Sequence, residues 1–194
     1  MIWALSTARS SGRTRPPRAR KKKEDETPEK SRQRQALGVS RGGLSTKIHV
    51  LCEGEGKPMA VTLTPGQAHE ATQATALLDQ VKVKGKPGRP RQRFEAVAGD
   101  KGYDSEAIRD DLRERGTEPV IAHRKDRDGE YPERAEAFDK EKYRRRNVVE
   151  RLIGRLKEFR GIATRYAKLA EGFIGLIRLA FMRIWMKDLL SDRA

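Results

Sequence analysis

The 194-residue sequence predicts an α/β fold, a mixed sheet covered by helices. Three observations predict it. Short apolar runs bounded by Gly and Pro alternate with longer runs of helical apolar period. Their order is β-β-α-β-α-β-α-α. The strand-like run Phe94–Asp100, "FEAVAGD", ends at an acid that Gly99 and Gly102 flank, which lets the chain turn sharply there.

The elements follow in order. Residues 1–40 hold "STARSSGRTRPPRARKKKEDETPEKSRQRQ", rich in Arg, Lys, Ser and Pro and poor in large apolar side chains. Such a segment cannot bury enough surface to offset chain entropy, so it is expected to be a disordered basic segment. Its first 20 or so residues also have the texture of GC-rich coding DNA read out of frame. Structure is expected over 41–190. "STKIHVLC" (Ser45–Cys52) and "MAVTLTP" (Met59–Pro65) read as two strands, joined through "EGEGKP" as an antiparallel hairpin. "HEATQATALLDQV" (His69–Val81) reads as a helix and "KVKGKPGRPRQR" (Lys82–Arg93) as a basic loop. After the strand ending at Asp100 comes a helix, Ser105–Gly116, capped by Asp104 or Ser105 and stopped at Gly116. "EPVIAH" (Glu118–His123) reads as a strand. A charged linker leads to a helix over Tyr143–Lys157, and a buried helix is expected over Gly172–Met186. That last run carries Arg178 and Arg183 and is too short and too charged to span a membrane.

Composition narrows the partners. The formal net charge is +15 and the sequence pI near 10.2. Such an excess predicts a polyanionic partner, first of all nucleic acid. The single cysteine, Cys52, excludes an intrachain disulfide and fits a reducing compartment. His49, His69 and His123 are scattered and give no zinc-ligand spacing.

Two acids stand out. Asp100 ends a predicted strand, where open α/β sheets gather ligands; a plain turn Asp is the competing reading. Glu150 is the one carboxylate in "YRRRNVVERLIGRLK", among six cationic side chains. Tyr143, Arg146, Glu150 and Lys157 lie at steps of three, four and seven, on one helical stripe. An Arg146–Glu150 surface ion pair accounts for that spacing. So does a second reading, in which the sheet brings Asp100 and Glu150 together. Carboxylates so placed hold Mg2+, which prefers oxygen ligands. Paired ions can activate a water or a 3′-hydroxyl against a phosphodiester, while the surrounding cations grip phosphates.

The spacing Y-x2-R-x3-E-x6-K, met by Tyr143, Arg146, Glu150 and Lys157, resembles the signature helix of the DDE transposases of bacterial insertion sequences, groups four and five. "GVSRGGLSTKIHVLCEGEGKPMAVTLTPGQAHE" resembles the segment after their first acid, and "AGDKGYDS" their second-acid motif. "RRRNVVERLIGRLKEFRGIATRYAKLAEGF" resembles their third-acid region. The likeness covers about Leu37 to Asp188.

The resemblance implies a ribonuclease-H-like sheet and three acids that hold two Mg2+ (or Mn2+) ions. It implies DNA transposition, with strand cleavage and strand transfer on double-stranded DNA, both element ends and target. It further implies a homodimer and a bacterial cytoplasmic, nucleoid-associated protein. By position, Asp100 is the second acid and Glu150 the third, both catalytic and metal-binding. Tyr143, Arg146 and Lys157 would contact DNA, with Lys47, Lys101 and Arg160 as weaker candidates. The departure is at the first acid. The only acids upstream of "RGGL" are Glu24, Asp25, Glu26 and Glu29, in a charge run without strand character. The sheet is therefore expected to lack its first strand, leaving a partial catalytic domain over 41–190 that binds DNA but does not cut it. The alternative is a non-catalytic nucleic-acid-binding protein that retains the basic surface. His69 is expected at a helix start, and Phe181 and Trp185 in the core.

Overall fold

The computed structural model describes residues 2–11, 31, 34–40, 43–81, 94–125, 129 and 139–191. Six strands are formed: β1 Ile2–Ser11, β2 Gly38–Ser40, β3 Gly43–Cys52, β4 Pro58–Pro65, β5 Ala96–Gly99 and β6 Glu118–Ile121. The helices are α1 Ala74–Gln80, entered through a 3-10 turn at Ala71–Gln73, then α2 Glu106–Glu114, α3 Lys140–Arg144, α4 Asn147–Lys157, α5 Arg160–Ala163 and α6 Ala170–Ser191. Hydrogen-bonded neighbours run in the order β2-β3-β1-β5-β6, and β4 pairs β3. The sheet is mixed: β1, β5 and β6 pair in parallel, while β2 and β3 are antiparallel.

At the start of the chain, among the described residues, Ile2–Ser11 and Gly38–Ser40 are strands, where a sheet beginning after residue 40 was expected. Averaged over forty residues, the charge of the segment hides the short run "IWAL". Four ladder positions, from Ile2 opposite Ala96 to Leu5 opposite Gly99, are enough to seat that run against β5. What β1 lacks is a carboxylate: none occurs in "IWALSTARSS". The acids Glu24, Asp25, Glu26 and Glu29, and the basic loop 82–93, lie outside the described residues.

The chain forms two compact units. The first comprises 1–6, 50–60 and 69–151. Strand alternation divides its apolar side chains between two faces. Val97 and Ile121 join Leu77, Leu78, Tyr103, Ile108 and Leu112 in one core under α1 and α2. Ala96, Ala98 and Val120 face the other way, against Tyr143 of α3. Arg115 fastens α1 to α2 by pairing with Asp79 and Asp111 at 2.7 and 2.8 Å. Helix α2 starts after Ser105, as expected, though the Ser105 side chain makes no cap bond. It stops at Gly116, whose φ of 68° closes the turn into β6 without steric cost.

The second unit comprises 7–49, 61–68 and 152–194. The expected strand Ser45–Cys52 is buried at every position, polar ones included. Buried polar groups need partners, and most here have one. Thr46 donates to the Ala36 carbonyl (2.6 Å), and Lys47 Nζ to the Ala68 carbonyl (2.7 Å). His49 Nε2 lies 2.7 Å from Thr64 Oγ1. Arg165 is fully buried. It bonds to Thr46 and to the carbonyls of Ala36 and Ala167, and stacks 5.0 Å from the Phe173 ring. Burial pushes its guanidinium down to about 10, so it stays charged at neutral pH. Helix α6 is longer than expected and buried on one side only. Phe173, Ile177, Phe181 and Ile184 are inside, Trp185 is half-buried, and Leu179, Met182, Met186 and Leu190 are exposed. Among the described residues no helix is long and apolar enough to cross a membrane.

Candidate active site

Asp100 stands where β5 ends. It follows Ala96 and Ala98 in the alternation of the strand, toward the face that Tyr143 covers. Its side chain accepts the Gly102 N–H at 2.8 Å and thereby caps a 3-10 turn, Lys101–Tyr103. Burial raises its pKa, and the Glu70 carboxylate adds to the rise; the Gly102 N–H, Arg146 and Arg124 oppose it.

Glu70 is the residue that sequence reasoning missed. It precedes the 3-10 turn before α1. A Cβ on Gly102 would lie 1.7 Å from Glu70 Oε2 and 2.8 Å from Asp100 Oδ1. The bare glycine thus leaves room for two carboxylates at one point. The signal available in the sequence was the pair His69-Glu70 at a helix start, and attention fell on the histidine. His69 is exposed at the turn, as expected, and its carbonyl accepts from Thr72.

The expected single helix over Tyr143–Lys157 is broken. Arg145 and Arg146 form a tight turn between α3 and α4, where Arg146 N–H bonds Tyr143 and Val149 N–H bonds Arg146, three residues back in each case. Tyr143 is half-buried and packs on the sheet, with the Arg146 guanidinium 5.4 Å from its ring centre. Arg146 pairs with Glu150 at 2.5 Å, and their side chains are 18% and 52% exposed. Arg146 Nε is buried with no hydrogen-bond partner among the described residues. Arg146 pairs with Glu150, and its charge is one of the smaller influences that oppose the rise in the Asp100 pKa. Lys157 is exposed at the end of α4, as are Lys101 and Arg160, whereas Lys47 is buried.

The matching family model is the transposase DDE domain, which covers residues 10–185 of this chain. The chain belongs to that family. A protein named as a transposase for insertion sequence element IS402, from Burkholderia cepacia, is 35% identical over 127 residues. That match takes in 65% of this chain and 56% of the relative. A second, named for insertion sequence element IS6501, from Brucella ovis, is 27% identical over 148 residues, 74% of this chain and all of the relative. The chain thus spans little more than half the length of the first relative.

The family reading implies a divalent cation. Among the described residues no group of three or more His, Cys, Asp or Glu side chains could hold a metal ion. The oxygen chemistry nevertheless fits one ion. Asp100 and Glu70 converge at Gly102, and Mg2+ is commonly held by one or two carboxylates together with waters and substrate phosphates.

Proposed function

We propose that this chain is the catalytic-domain part of an insertion-sequence transposase, with a ribonuclease-H-like sheet, which acts on double-stranded DNA by metal-dependent cleavage and strand transfer. The supporting observation is Arg146, which pairs with Glu150 and acts electrostatically on Asp100. Asp100, with Glu70 beside it, would hold one Mg2+ or Mn2+ ion, and Glu150 would be a ligand by its place in the family's motif. The ion, when bound, would supply Lewis-acid stabilisation to a phosphodiester. Asp100 is held by the Gly102 N–H, and Arg146 offers the guanidinium that would otherwise meet a phosphate. Tyr143 would fix the Arg146 plane by stacking, and Lys157 would add a phosphate contact. The protein would work in the bacterial cytoplasm at the nucleoid, as a homodimer.

A second reading, a DNA-binding protein without cleavage, is favoured by one observation: β1 carries no carboxylate. Nicking of a supercoiled plasmid that carries the element's own ends, with Mg2+ or Mn2+, separates the two. Metal-dependent nicking by this chain, abolished in Glu150→Gln, supports catalysis. Binding without nicking supports the second reading. Nicking at the wild-type rate by Glu150→Gln would leave Glu150 as an ion-pair partner only.

A further inference from the structure

The turn that carries Asp100 is tied down by a network that its neighbours in sequence do not explain. Asp104 closes the turn. Its Oδ1 accepts from Arg109 Nη2 of α2 at 2.8 Å, and its Oδ2 accepts the Arg124 N–H at 2.6 Å. The same Arg109 nitrogen donates to the Ile121 carbonyl at 2.9 Å and lies 3.3 Å from His123 Nδ1. Arg124 Nε donates to the Lys101 carbonyl, the residue after Asp100. One buried guanidinium and one exposed one thus join α2, the exit of β6 and both ends of the Asp100 turn.

Arg109 is only 4% exposed. Apolar residues of similar volume often hold a fold as well as a buried ion pair does, so stability alone is a weak reason for a charged group here. Directionality is a better one. Hydrogen bonds are directional in distance and angle, and a ligand-bearing turn held by them as well as by packing keeps its geometry to within about 0.5 Å. We propose that Asp104, Arg109 and Arg124 are positioning residues that hold the Asp100 turn so that its carboxylate presents a fixed pair of oxygens. The proposal rests on the reading of Asp100 as a ligand of the divalent ion. The Lys101 carbonyl is held directly in this way, and the Gly102 and Tyr103 N–H groups, which bond Asp100 itself, report whether the turn keeps its place.

Two readouts separate the clamp from that reading. Amide hydrogen exchange by NMR reports the Gly102 and Tyr103 N–H groups, which bond the Asp100 carboxylate at 2.8 Å and its carbonyl at 3.0 Å. Electron paramagnetic resonance of added Mn2+ reports ion binding without any reaction. Arg124→Met alters an exposed side chain and should leave folding intact; Asp104→Asn is the second variant. Exchange at Gly102 and Tyr103 should speed up by about five- to tenfold in both, the scale of one lost hydrogen bond, while Val97 and Ala98 in β5 stay protected. Mn2+ affinity should fall by a similar factor, and Arg124→Lys should restore part of both. Unchanged exchange at Gly102 and Tyr103 in both variants overturns the clamp. Faster exchange with unchanged Mn2+ affinity overturns the positioning role. A wild-type chain that takes up no Mn2+ refutes the metal reading of Asp100, and the exchange data still decide the clamp.

Discussion

Gly102 is the residue on which the two carboxylates of the first unit depend. An alanine there meets Glu70 Oε2 at 1.7 Å, and the end of a flexible side chain yields more readily than backbone would. Gly102→Ala should therefore displace Glu70 and leave the fold standing, with a stability change within about 1 kcal/mol. Mn2+ titration of the alanine variant should show weaker binding; equal binding would mean that Glu70 takes no part. Asp104 makes a different prediction. Burial works to raise its pKa, but the bonds from Arg109 and the Arg124 N–H, with the charges of Arg109 and His123, outweigh it and leave the carboxyl below its usual value. A carboxyl with a depressed folded pKa stabilises the fold above its unfolded pKa of about 3.9, and that stability is lost as pH falls through the folded value. Asp104→Asn should cost roughly 1–3 kcal/mol at pH 7 and progressively less below pH 4. Urea melts at pH 7 and pH 3 check this, and an equal cost at both would remove the charge from the account.

At the scale of elements, periodicity was legible and long-range pairing was not. The β3–β4 pairing, α1, β5, α2 and β6 fall within a few residues of their expected places, because each carries its own apolar pattern and its own stop, such as Gly116. The break at Arg145–Arg146 was hidden because Tyr143, Arg146 and Glu150 keep their helical steps through a tight turn of the same hand. The convergence of Glu70 on Asp100 was hidden because a sheet, and not a local spacing, brings 70 and 100 together. Strand β1 was hidden by the charge around it. Leu5 pairs with Gly99, so Ser6 stands one residue beyond it as Asp100 stands one beyond Gly99. The backbone at 6 is thus level with that at 100. Ser6→Asp should lower stability without metal, since like charges repel, and should tighten Mn2+ binding by about tenfold or more. Melting curves with and without Mn2+ give both quantities. An affinity equal to that of the wild type would mean that a carboxylate at position 6 does not reach the ion.

For the whole molecule the governing quantity is charge. Forty-three Lys and Arg stand against twenty-eight Asp and Glu. The cations at and around the candidate site divide by exposure. Arg109 is spent inside the fold, and Arg165 and Lys47 are likewise buried elsewhere, whereas Arg124, Lys101, Lys157 and Arg160 are exposed. Only exposed cations can displace counterions from a phosphate backbone, so the exposed set and not the net charge fixes the salt response. If about six phosphates are neutralised on duplex DNA, log affinity falls against log salt with a slope near −5, roughly a thousandfold between 50 and 200 mM. Fluorescence anisotropy with a labelled duplex measures this slope. Lys101→Ala and Lys157→Ala should each make it shallower by about one, as loss of one phosphate contact requires. Lys47→Met should leave the slope alone, because the Lys47 ammonium is bonded to the Ala68 carbonyl inside the second unit. Lys47→Met is a demanding control, since it removes the same formal charge as either alanine variant. If it flattens the slope as much as they do, the DNA responds to net charge, and the exposed cations have no special part in meeting it.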